Sequence, residues 1–289
     1  MFKYRLARKE FAVAIWFLAP SFIGFALFYL IPFGQSIFTS FGDRLGGTGV
    51  TLTHYKELFV SASFQKAAAN TFWFTLISVP LLVALSLGAA LLLNQRVFIR
   101  QWLRAAYVMP LVVPVASIVM VWQILFDWNG VGNAWLNSLG AGRIDWMKSE
   151  WAGLIIVLIY IWKNIGYNIV LFLAGLQNIP GQYYEIADLE GASASRKLFG
   201  ITFVYLTPTT FLVVLMSVLG SFKVFREVYL VAGAYPHDRI YMLQHYMNNM
   251  FLSLDIQKLS AAAVLMAVCI FALIVGLFRI ERKFRSFME

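Results

Sequence analysis

The sequence predicts an all-α, polytopic membrane protein with six transmembrane helices and a helical hairpin between the fourth and fifth. Three observations carry this reading. Hydrophobic residues make up 61% of the 289 and charged residues only 13%, more apolar surface than a soluble core can hide. The apolar residues gather into six runs long enough to cross a hydrocarbon layer of about 30 Å, for which roughly 20 residues suffice as a helix. Between the last three runs lie polar, glycine-bearing segments, the most informative being EIADLEGASASRKLFGITFVYLTP from Glu185 to Pro208.

The six runs fall at about 11–37, 70–94, 105–126, 151–176, 203–223 and 260–279 of a single membrane domain covering 1–289. The first follows Lys3, Arg5, Arg8 and Lys9, as in a signal peptide, but its apolar stretch is long for an h-region and no small-residue cleavage site follows, so a retained span is expected. Pro20, Pro32, Pro80, Pro110 and Pro114 sit within or at the ends of runs. They predict bent helices whose freed backbone groups find other partners, or ordinary kinks. Pro110 and Pro114 put two irregularities on one face.

Charge placement sets the orientation. Thirteen of the 23 Lys and Arg lie in 1–10, 95–104, 177–202 and 279–289, nine lie in the longer segments 38–69, 127–150 and 223–259, and Lys163 lies inside a run. The positive-inside rule then places both termini and the 177–202 loop in the cytoplasm. The net charge of +9 therefore reports topology, and no nucleic-acid partner is expected. Trp102, Trp128, Trp146 and Trp151 near run ends suit the membrane interface.

The 177–202 loop has the grammar of helix, turn, helix. Pro180 suits a helix start, 182–189 has helical composition, and Gly191 can take the conformation that ends a helix. Leu198, Phe199, Ile201 and Phe203 follow on a mixed face. Such a hairpin is either a docking element, with Glu185, Asp188 and Glu190 supplying charge complementarity, or a solvated loop at the lipid surface.

Inside the fourth run, Tyr160, Lys163, Asn164 and Tyr167 share one helical stripe, and Ser217, Gly220, Ser221 and Val224 share another in the fifth. Polar groups within a membrane line a path or hold helices together, and both readings stay open. Lys223, Arg226 and Glu227 mark the outer end of the fifth run. Cations there could suit an anionic solute. The lone Cys269 lies mid-run and excludes an internal disulfide. His54, His237 and His245 lack metal-ligand spacing and are expected to be satisfied surface residues, so no metal site is expected. No catalytic residues are assigned.

The loop resembles the EAA motif of permease subunits in ATP-binding-cassette (ABC) importers. Glu185, Ala187, Glu190, Gly191 and Ala192 match in order and spacing, followed by Phe199, Ile201, Thr202 and Pro208. Ile186 replaces the usual second alanine, Glu190 the commoner aspartate, and Val204 a frequent proline. WKNIGYNIVLFLAGLQNIP from Trp162, GSFKVFREVYLVAGAYP from Gly220 and LAPSFIGFALFYLIPF from Leu18 resemble segments of the carbohydrate-uptake, maltose-type branch. The resemblance implies an importer permease fold of type I. It implies Glu185, Ala187, Asp188, Glu190, Gly191 and Ala192 as the coupling helix, and sugar contacts at the positions of Tyr160, Lys163, Asn164 and Tyr167 and on the Ser217 stripe.

It further implies a second homologous permease, a dimer of ABC ATPases and an extracytoplasmic solute-binding protein as partners, in the inner membrane of a bacterial or archaeal cell. The expected cargo is a sugar or oligosaccharide, with a charged solute such as a uronate oligosaccharide or glycerol phosphate as the alternative. No GxxxxGK[ST] loop occurs, so ATP and magnesium belong to the ATPase partner and this chain needs no cofactor of its own. A six-span channel or secondary carrier would leave the loop without purpose, and no inverted repeat is seen. An intramembrane enzyme lacks a GxSG motif or paired aspartates.

Overall fold

The computed structural model describes residues 2–42, 49–94, 109–110 and 113–288, with the side chains of 2–12 and 284–288 left aside. The basic segment 95–104, Trp102 and the first residues of the expected third span lie outside them. In chain order the helices are α1 (Phe2–Phe25), α2 (Ile31–Ser40), α3 (Thr53–Val60), α4 (Ala62–Asn94), α5 (Val115–Phe126), α6 (Val131–Ser138), α7 (Ala152–Gln177), α8 (Gly181–Leu189), α9 (Ala194–Lys197), α10 (Phe203–Ser221), α11 (Phe225–Ala232), α12 (Leu243–Leu252) and α13 (Ile256–Met288). Among the described residues, six stretches are long and apolar enough to cross a membrane: Val13–Ser40, Ala62–Asn94, Val115–Ser138, Ala152–Gln177, Ala194–Ala232 and Ile256–Lys283. Helices dominate for a physical reason: hydrocarbon offers backbone N–H and C=O groups no partner, and a helix satisfies them internally.

The expected spans and the observed helices differ mostly at their ends. Helix α4 begins at Ala62, eight residues before the hydrophobic run, and the fifth span is preceded by helix from Ala194. Hydropathy locates the part of a helix in lipid, whereas the helix itself continues into the interface. Pro114 is an N-cap in extended conformation, and α5 starts only after it. Pro32 is carried without a break, because the five residues Ala26–Leu30 form a π-turn in which Ile31 N–H reaches Ala26 O, and Pro32 occupies the first turn of α2. The widened turn gives the proline ring the room it denies to an i−4 carbonyl.

The chain forms two compact units, 1–61 with 250–268, and 62–249 with 269–289. In the first, α3 is tied by His54 Nε2 to Gly42 O (3.0 Å) and by an ion pair of Glu57 with Lys258 (3.0 Å). In the second, α4, α7 and α10 pack together. One cluster joins Phe74 and Leu82 to Ile155, Ile156, Ile159 and Val228; the other joins Ala90 and Leu93 to Phe172, Leu173, Leu206 and Val213. Small residues let the backbones approach: a Cβ on Gly175 would stand 2.5 Å from Thr209 Oγ1 and 2.9 Å from Leu206 Cδ2. In lipid such contact, rather than expulsion of water, holds helices together.

His54 and His245 are buried, 2% and 0% exposed, and not surface residues as the sequence suggested. Segments outside the lipid still fold on themselves, and hydropathy along the chain does not report that. His245 Nδ1 accepts from Met242 N–H (3.2 Å) and its ring lies edge-on to Phe225. Burial holds its pKa at about 4, below the ordinary 6.5. Between those values the unfolded chain binds more protons, so this contribution is complete above about pH 6.5 and is lost as pH falls toward 4. The melting temperature should therefore decline from pH 7.5 to 5, and less steeply in His245→Phe.

Candidate functional site

The hairpin is built by local chemistry. Pro180, extended at φ −63° and ψ 129°, caps the start of α8. At its end Gly191 adopts φ +72°, and two reversed hydrogen bonds close the turn: Gly191 N–H to Asp188 O (3.1 Å) and Ala192 N–H to Ala187 O (2.8 Å). This is a Schellman stop, which glycine enters without a Cβ clash. Ser193 Oγ accepts from Arg196 N–H (3.4 Å) and opens α9, and a π-turn over Leu198–Thr202 leads into α10.

Lys197 Nζ meets Asp188 Oδ1 at 2.5 Å, and Tyr184 and Thr202 share a hydroxyl contact of 2.9 Å. The two arms are thereby clamped. Ile186 and Leu189 stand 55% and 89% exposed at the tip, flanked by exposed Glu185 and Glu190, while Ala187 and Ala192 are half-buried beneath. A ready surface is left, apolar at its centre and acidic at its rim.

The two polar stripes meet. Tyr160 is 3% exposed, donates from its hydroxyl to Ser217 O (2.6 Å), and its ring edge faces Phe74. Ser217 Oγ in turn accepts from Asn168 Nδ2 (2.9 Å), and Ser221 Oγ meets Thr75 Oγ1 on α4 (2.9 Å). A Cβ on Gly220 would lie 3.4 Å from the Tyr160 hydroxyl. Tyr160, Ser217, Gly220 and Ser221 thus spend their groups on joining α7, α10 and α4. Interhelical bonds of this kind in lipid are worth about 0.6 kcal/mol each. Tyr167 is half-buried on the same face of α7.

Lys163, Asn164 and Val224 are placed differently. They line a cleft of about 220 Å³ with Tyr160, Gly220, Lys223, Arg226 and Glu227. Asn164 Nδ2 bonds back to Tyr160 O (2.8 Å). Lys163 Nζ pairs with Glu227 Oε1. Glu227 lies in the first turn of α11, 4% exposed, where the positive end of the helix favours a carboxylate. Its other oxygen, Oε2, is buried with no hydrogen-bond partner among the described residues.

Asn168, Thr75 and Glu227 are absent from the stripes read in the sequence. Asn168 follows Tyr167 directly and its polarity was the available signal, but Thr75 lies on another helix. Glu227 is hidden by the turn at 222–224, where Lys223 N–H bonds Gly220 O (3.0 Å) and helical spacing is lost. A larger hollow of about 650 Å³, lined by Trp122, Asp127, Trp128, Asp145 and Lys148 among others, is formed with the loop after α5. It shares no residue with either stripe.

Residues 81–286, holding the hairpin, both stripes and the cleft, match the family described as "Binding-protein-dependent transport system inner membrane component". The chain belongs to this family. It is therefore a multi-pass membrane component of a binding-protein-dependent transport system, an ABC importer permease subunit. Among family relatives it is 33% identical over 216 residues to an arabinooligosaccharides transport system permease protein of Halalkalibacterium halodurans, covering 73% of this chain and 68% of that one. It is 31% identical to a sulfoquinovosyl glycerol transport system permease protein of Agrobacterium fabrum, over 92% and 90% of the two chains. The fold matches a chain of a bacterial ABC transporter involved in the import of the acidic polysaccharide alginate, with a TM-score of 0.81 at 20% identity over 98% and 99% of the chains.

Proposed function

We propose that the chain carries a sugar or oligosaccharide across the membrane by alternating access, paired with a second, homologous permease and driven by two ABC ATPases. The observation that carries this is the hairpin: a rigid clamped tip with exposed Ile186 and Leu189 between Glu185 and Glu190 has the form of a key for a cleft in another protein. Both termini and this hairpin lie in the cytoplasm by the distribution of basic residues. ATP and magnesium stay on the ATPase, and an extracytoplasmic solute-binding protein delivers the cargo from the other side. ATP binding closes the ATPases, the hairpin moves with them, and the spans rock to open the path outward.

The names of the relatives, one for arabinooligosaccharides and one for sulfoquinovosyl glycerol, support a saccharide cargo. On the path, Lys163, Asn164 and Val224 face the cleft, whereas Tyr160, Ser217, Gly220 and Ser221 shape its wall by joining helices, with Tyr167 further along. Purification of the tagged chain from its native membrane in mild detergent should bring down an ATPase and a second permease in fixed ratio. A lone chain passing solute without ATP would instead be a channel or carrier.

A further inference from the structure

The free polar groups of the cleft are unbalanced in a way that names its ligand. Three cations line it against one carboxylate, and that carboxylate, Glu227, is already engaged by Lys163. Asn164 has spent an amide hydrogen on its own helix. Of the charged groups, those that remain open to a ligand are Lys223 and Arg226, three residues apart, both exposed, and without an acidic partner among the described residues. Ammonium and guanidinium groups donate hydrogen bonds and accept none. A neutral sugar, whose hydroxyls must both give and take, finds little return there; a group with several acceptor oxygens and a negative charge finds charge-assisted bonds. Both cations also stand at the outer end of the span, the side that the positive-inside rule depletes of Lys and Arg, so topology does not account for them.

We propose that this cleft selects saccharides bearing an anionic group, a carboxylate, sulfonate, sulfate or phosphate, which Lys223 and Arg226 grip while Glu227 withholds Lys163. The proposal rests on the saccharide-importer reading and narrows it to a charged cargo.

Equilibrium dialysis of galactose, galacturonate and glucose 6-sulfate against the purified, detergent-solubilised complex at low salt tests it. At least one acidic sugar should bind tenfold or more tightly than galactose, and about 0.5 M salt should erode the difference. Arg226→Gln should cost that acidic sugar roughly tenfold, the scale of one lost charged hydrogen bond. Arg226→Lys should recover most of it. Galactose binding as well as both acids, no acid retained by the complex, or an acid preference surviving Lys223→Gln with Arg226→Gln would each overturn the proposal. If ATP-driven uptake of a neutral saccharide persists alongside such a result, the importer reading stands and only the charge assignment falls.

Discussion

Gly191→Val should abolish ATP-driven uptake, at least tenfold below wild type, while the complex still hydrolyses ATP. Position 191 is held at φ +72°, a region that costs an ordinary L-residue about 1–2 kcal/mol and is least accessible to a β-branched one. Valine would turn the backbone out of that region and break the bonds from Gly191 N–H to Asp188 O and from Ala192 N–H to Ala187 O. The tip would then point Ile186 and Leu189 elsewhere, although the spans, which rely on packing far from the loop, would insert as before. Gly191→Asn should keep much of the uptake, because asparagine tolerates the left-handed region. Uptake and hydrolysis measured on the same vesicles decide the matter: equal rates of uptake in the valine variant and the wild type would remove the hairpin from the coupling.

Glu227→Ala should be the most destabilising single change in the membrane core. It would leave Lys163, in the middle of the Ala152–Gln177 span and with a side chain only 21% exposed, as an uncompensated cation. Removing one partner of a buried ion pair costs about 3–5 kcal/mol, whereas replacing both by apolar residues of similar volume is often neutral. The melting temperature of the purified protein should fall by on the order of 5–10 °C in Glu227→Ala. Most of the loss should return in Lys163→Met with Glu227→Leu. A double variant as unstable as the single one would show that Glu227 acts through something other than Lys163.

These two sites differ in how well the sequence exposed them. The hairpin is legible because it is made by near neighbours: Pro180 starts a helix, Gly191 stops it, and the bonds that close the turn span five residues or fewer. The stripes were legible as helical faces but not as roles. Tyr160 and Lys163 sit three apart on one face and both line the cleft, yet one is tied to Ser217 O on α10 and the other to Glu227 on α11. That difference is set by which helix each one meets, and no spacing within α7 contains it. The Lys163–Glu227 pair spans 64 residues and crosses the turn at 222–224, so an acid at the apparent end of one span finds a cation at the centre of another. Helix ends were misplaced for a third reason: hydropathy follows the lipid, while α4 and the helix before α10 run beyond it.

The central claim is that this chain passes a saccharide only when an ATPase drives it through the 181–202 hairpin. Its most direct test is saccharide uptake into proteoliposomes holding the full complex, with solute-binding protein outside and ATP trapped inside. Uptake should require both and should stop when ATP is replaced by a non-hydrolysable analogue. Uptake that runs at the same rate without ATP, or without the solute-binding protein, would contradict the account.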